Sequence, residues 1–112
     1  MCLFCKIADK QIPSKVLFED DDVLAFHDIH PAAPTHVLVI PKSHVASLHD
    51  ATPEHGALLG KLLLAARRAA ETSGLAASGY RVVTNIGADA GQSVPHLHLH
   101  VIGGRALAWP PG

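Results

Sequence analysis

Short apolar runs separated by turn residues, and one long stretch at helical spacing, divide the 112-residue chain. Residues 3–10 fit a short helix or turn, closed by Ile12-Pro13. Lys15-Val16-Leu17-Phe18-Glu19 predicts a strand, Asp20-Asp21-Asp22 the turn after it, and Val23-Leu24-Ala25-Phe26-His27-Asp28 the returning strand of a hairpin. Pro31-Ala32-Ala33-Pro34 makes a rigid connection to the β-prone run His36-Val37-Leu38-Val39-Ile40, which Pro41 stops. Thr52-Pro53 offers an N-cap hydroxyl and a proline at the first helical position. Leu58, Leu59, Leu62, Leu63, Ala66 and Ala70 then recur at helical spacing, with Gly74 as C-cap. Lys61, Arg67, Arg68 and Glu71 fall on the opposite, solvated face. Tyr80 to Asn85 predicts another strand, Gly87 to Ser93 a glycine-containing loop, and His96 to Ile102 the last strand. Hairpin-type connections between about five strands, with one long helix, predict an α+β domain over residues 1–112 rather than alternating βαβ units.

Composition narrows the function classes. At this length one modest core is possible, and 48% hydrophobic with 17% charged residues argues for a folded chain. A net charge of −1 supplies no field for nucleic acid. No apolar run approaches the roughly 20 residues of a membrane span, and no basic-then-apolar leader opens the chain. Cys2 and Cys5 sit too close for a typical structural disulfide and suit a metal or redox pair in a reducing compartment. A soluble, cytoplasmic protein is expected. Nine histidines are many for this length and would make the chain cationic below about pH 6.

His96-Leu97-His98-Leu99-His100-Val101-Ile102 concentrates them. Strand alternation places the three imidazoles on one face and Leu97, Leu99 and Val101 on the other. Such a face can be merely solvated, can hold a metal ion, or can attack an electrophile with one imidazole while its neighbours stabilise charge. The preceding loop favours the third. Gly87, Gly91, Gln92 and Ser93 carry backbone N–H groups and side chains able to donate to an anion, which suggests phosphoryl or nucleotidyl transfer.

The histidine run resembles the signature of the histidine triad (HIT) superfamily. Phe26-His27-Asp28-Ile29, Pro34-Thr35-His36, Asn85, Gly91-Gln92-Ser93, Gly103-Gly104-Arg105 and the ending Trp109-Pro110-Pro111-Gly112 further resemble its Hint branch of nucleotide-binding phosphoramidases. The resemblance implies a five-stranded antiparallel sheet with one long helix, continued across a homodimer. It implies hydrolysis of purine nucleoside phosphoramidates with no catalytic cofactor. His98 would be the nucleophile, its second ring nitrogen held by an acceptor such as the His96 carbonyl. His100 and Ser93 would stabilise the phosphate and leaving group, and His36 would orient the triad and relay protons. Phe4, Ile7, Ile12, Phe26, His27 and Ile29 would line the base pocket, Asp28 would accept the ribose hydroxyls, and Asn85, Gly91 and Gln92 would serve the phosphate side. Trp109 would act from the tail at the partner subunit's site. Cys2, Cys5, His44 and His96 would hold a structural zinc ion. The alternatives are a hydrolase or transferase of dinucleoside polyphosphates and a non-catalytic nucleotide-binding regulatory module.

Overall fold

The apolar alternation becomes strands β1 (Val16–Glu19), β2 (Val23–His27), β3 (Thr35–Pro41), β4 (Tyr80–Val83) and β5 (Leu99–Gly103) in a computed structural model that describes residues 1–112. All pairings are antiparallel, and the sheet order is β1-β2-β3-β5-β4. Three strands form a meander. Helix α2 (Gly56–Thr72) then carries the chain to the far edge, and β5 returns between β3 and β4.

Both faces of the central strands are covered, so β2 and β3 read as nearly continuous apolar runs rather than as alternating ones. Val23, Ala25, Val37, Val39, Leu97, Leu99 and Val101 pack with Leu62, Ala66, Ala69 and Ala70 of α2 on one face. Leu24, Phe26, Leu38 and Ile40 pack with Phe4 and Ile7 of the short helix α1 (Leu3–Ala8) on the other. The second face is the one that carries the imidazoles.

Three local expectations shift. Thr52-Pro53 opens a 3₁₀ turn over Pro53–His55, and the α-helix begins only at Gly56; Thr52 N–H donates to His55 Nδ1 and closes the turn. Leu63 lies outward at 60% exposure, because α2 turns its Leu62/Ala66/Ala70 line inward. The last strand starts at Leu99 rather than His96. Leu97 N–H donates instead to Val45 O at 2.6 Å, so residues 96–98 leave the ladder while the in–out alternation persists.

Candidate active site

His98 is 4% exposed, and its Nδ1 lies 2.7 Å from the His96 carbonyl oxygen. A carbonyl only accepts, so Nδ1 carries the proton and Nε2 keeps its lone pair. The His100 ring follows at 4.9 Å between centroids. His100 Nδ1 is 2.8 Å from His36 Nε2, and His36 Nδ1 accepts from Ala32 N–H at 2.9 Å. His100 Nε2 is buried and has no hydrogen-bond partner in the chain. Burial lowers the His36 pKa against the pull of Asp28, whose Oδ2 is 3.4 Å from Nε2. Burial, followed by the neighbouring His98 and His36, brings His100 down to about 4. Both rings are therefore neutral at neutral pH, as hydrogen-bonding rather than charged groups.

A cleft of about 330 Å³ opens beside these rings, between α1 and the β2 end. Phe4, Ile7, Ile12 and Phe26 line it, His27, Asp28 and Ile29 continue along it, and Ser93 comes from the loop. The Phe4 ring meets Phe26 and His98 edge-on, with centroids at 5.6 and 5.1 Å, so one side chain joins the cleft wall to the triad. Asp28 Oδ1 accepts from His30 N–H at 2.8 Å, which fixes the carboxylate on its turn. Pro13, Ser14 and Leu38 also line the cleft. Leu38 was missed, although its place two residues after His36 on the same strand face is the signal that points to it.

The glycine loop does not form the expected amide cradle. Gly87 N–H donates to the Gln92 side-chain oxygen at 3.0 Å, Gly91 N–H to Ala88 O at 3.0 Å, and Gln92 N–H to Gly87 O at 3.1 Å. The Gln92 amide nitrogen is shared by Ala46 O and Val94 O at 2.8 and 3.0 Å. Gly91 and Gln92 thus shape the loop and dock it, and their donors are spent. Gly91 supplies the left-handed backbone (φ 76°) that closes the turn. Ser93, exposed at the cleft, is left to face a ligand.

Behind the triad, Cys2 Sγ, Cys5 Sγ, His44 Nδ1 and His96 Nδ1 converge, with all six separations between 3.2 and 3.6 Å. A tetrahedron of that size has its centre roughly 2.0–2.2 Å from each corner, close to metal–nitrogen and metal–sulfur bond lengths in tetrahedral sites. His96 Nε2–H donates to Pro41 O at 2.8 Å, which turns the bare Nδ1 into the cluster. Cys2 also caps α1, accepting from Cys5 N–H at 3.3 Å. Burial and the Cys2 hydrogen bond raise the Cys5 thiol pKa. The donor set fits a tetrahedral cation, with no position left over for substrate.

The HIT domain sequence model matches residues 9–107. The chain belongs to the HIT family. An uncharacterized HIT-like protein of Synechococcus elongatus is 54% identical over 98% of this chain and 96% of its own length. A HIT family hydrolase from Legionella pneumophila superposes with a TM-score of 0.98 at 50% identity, covering all of both chains. A histidine triad nucleotide-binding protein from Candida albicans has a TM-score of 0.83 at 34% identity, over 98% of this chain and 83% of its own.

Two further expected site residues of this HIT protein stand apart from the cleft. Asn85 lines a separate cavity of about 470 Å³ with His36, His100, Arg81 and the tail residues Pro111 and Gly112. Trp109 is 80% exposed, with the Arg81 guanidinium 5.9 Å from its ring centroid. Within one chain Trp109 touches no part of the cleft, because the tail is held on β4, where Arg81 donates to Ala108 O at 3.0 Å. No helix is long and apolar enough to cross a membrane.

Proposed function

We propose that the protein hydrolyses purine nucleoside 5′-phosphoramidates to a nucleoside monophosphate and an amine, through a nucleotidyl intermediate on His98. One observation carries this: the His98 ring, bare at Nε2, sits 4.9 Å between centroids from the His100 ring, whose Nε2 is unpartnered, and Phe4 joins His98 to an apolar cleft that includes the Asp28 carboxylate. The cleft volume falls in the range of about 300–1,000 Å³ usual for small-molecule sites. Its wall of Phe4, Ile7 and Phe26 suits the faces of a purine, and Asp28 suits the ribose hydroxyls.

In the first step His98 Nε2 forms a bond to the α-phosphorus while the P–N bond breaks, and the amine leaves with the bonding pair and takes up a proton from solvent. His100 donates to a non-bridging oxygen, and Ser93 serves the leaving-group side. In the second step water attacks the same phosphorus and gives up a proton to solvent, the bonding pair to phosphorus returns to His98 Nε2 as that bond breaks, and the ring is back in its starting state. A lost transition-state donor of this kind costs about 3–4 kcal/mol.

The same reading gives Cys2, Cys5, His44 and His96 a zinc ion, which the tetrahedral spacing supports. With four protein ligands its contribution is rigidity: it ties α1, and with it Phe4, to the segment that presents His98. We also take the active protein to be a cytoplasmic homodimer joined through an open sheet edge, since β4 exposes Tyr80 and Val82 there.

A fluorogenic adenosine phosphoramidate tests the reaction, run beside diadenosine polyphosphates and a His98→Ala variant. Turnover of the phosphoramidate by the native protein, with a loss of at least about 10³-fold in the variant, is expected. Equal turnover by the variant, or exclusive turnover of the polyphosphates, contradicts it.

A further inference from the structure

Asp28, His36 and His100 also bring three ligand atoms within 4.8 Å of one another, on paper a second cation site. Their hydrogen bonds have the wrong polarity for one. The Ala32 N–H only donates, so His36 Nδ1, 2.9 Å away, must offer its lone pair. A neutral imidazole has a single N–H, so the His36 proton is on Nε2. That group lies 2.8 Å from His100 Nδ1 and donates to it, so the His100 proton is in turn on its own Nε2. The chain therefore ends in a buried, unpartnered N–H beside His98.

The opposite polarity is equally self-consistent within the pair. A His36 protonated on Nδ1 would accept from His100 Nδ1–H, leaving His100 Nε2 bare and unable to donate to an anion. The Ala32 amide decides between the two at hydrogen-bond distance, and the Asp28 carboxylate, 3.4 Å from His36 Nε2, favours the same polarity. The Ala32 loop is braced from one place. Arg105 Nη2 donates to Ala32 O at 3.0 Å, and Nη1 is steadied by Ala106 O at 3.0 Å. Gly104 holds a left-handed backbone (φ 93°) against Pro34, where a Cβ would come within 2.9 Å of the proline Cβ. Gly104 and Arg105 directly follow β5, the strand that carries His100, and the braced loop leads directly into β3, which carries His36.

We infer that Gly104 and Arg105 are positioning residues which, through the Ala32 amide, hold the His36–His100 pair in the one polarity that makes His100 a donor. The use of that donor rests on the proposed phosphoramidate chemistry, whereas the tautomers are properties of the free protein. Histidine ¹⁵N labelling and two-bond ¹H–¹⁵N correlation at neutral pH read them directly. In the native protein His36 and His100 are both expected as Nε2–H tautomers and His98 as Nδ1–H.

In Arg105→Ala both tautomers should appear at His36 and His100, with His98 unchanged. Turnover should fall about tenfold with KM within about twofold, less than the 10²–10³ of deleting a donor outright. Arg105→Lys, whose ammonium can still donate to Ala32 O, should restore both. Gly104→Ala presses on the same loop through Pro34 and gives an independent perturbation if Arg105→Ala fails to fold. A native His36 protonated on Nδ1, or tautomers unmoved in Arg105→Ala whatever its activity, overturns the inference. Absent phosphoramidate turnover with the tautomers as stated sinks the proposed reaction and supports this inference.

Discussion

His98 keeps its Nε2 bare because its Nδ1–H is spent on the His96 carbonyl, whereas His100 carries its proton on the buried, unpartnered Nε2 because its Nδ1 accepts from His36. His96 turns its bare nitrogen away from the cleft because Pro41 O fixes the proton on the opposite side. Equal spacing in sequence thus gives three rings with different chemistry, and the hydrogen-bond partner decides each. The run itself and the Cys2/Cys5 pair were legible from residue types, whereas the role of His98 and the grouping of Cys2, Cys5, His44 and His96 came through the family resemblance. The spent donors of Gly91 and Gln92 were not legible: the backbone N–H groups close a local turn onto Ala88 and Gly87 that glycine content does not specify, and the Gln92 amide docks on Ala46, remote in sequence.

Burial of neutral imidazoles makes stability depend on pH. His36 and His100 have lowered pKa values in the folded protein, His100 at about 4, against an ordinary 6.5. Between those limits the unfolded chain binds more protons, so stability is fully present above pH 6.5 and declines as pH falls towards 4. Thermal melts of metal-free protein from pH 7 to pH 4 should show this slope, and His100→Asn should flatten part of it. An unchanged slope in the variant would show that His100 already titrates normally when folded.

At the scale of elements, β5 and the segment before it act as one extended unit with two kinds of support. From Leu99 the strand is held by β3 and β4, while Leu97 is held by Val45 O and by the core against α2. Alternation in the sequence reveals side-chain direction and not ladder partners, which is why the strand start was misplaced while the buried face was right. Leu63 was misassigned for a related reason: a stripe that includes Leu59, Leu62, Leu63 and Ala66 is wider than the surface the sheet covers. Leu97 is 2% exposed, and Leu97→Ala should cost about 2–5 kcal/mol, read as a lower denaturation midpoint at constant m-value. A loss below about 1 kcal/mol would mean that the segment is not anchored through this core.

For the whole molecule, a helix on each face leaves the cleft at the α1 side, and α1 is too short to hold itself there by propensity alone. Its hold is Phe4 and Ile7 in the core and the Cys2–Cys5 end at the cluster. The cleft was legible only through family resemblance, since it exists between elements distant in sequence. Zinc added to the chelated protein should raise the melting temperature. At a thousand times the dissociation constant, binding contributes about 4 kcal/mol, and Cys2→Ser with Cys5→Ser should abolish the effect. A melting temperature indifferent to zinc rejects a structural metal. Sedimentation equilibrium addresses the proposed sheet-edge dimer, which Val82→Lys should weaken and a monomeric native protein would exclude.

The proposed reaction requires that His98 become covalently nucleotidylated. Native protein mixed with an adenosine phosphoramidate, quenched rapidly in alkali, digested and read by mass spectrometry should show an adenylyl group on the peptide carrying His98. The adduct should form and decay at rates that support turnover, and His98→Ala should not form it. Turnover without an adduct, or an adduct mapped to His36 or His100, would contradict a nucleophilic His98.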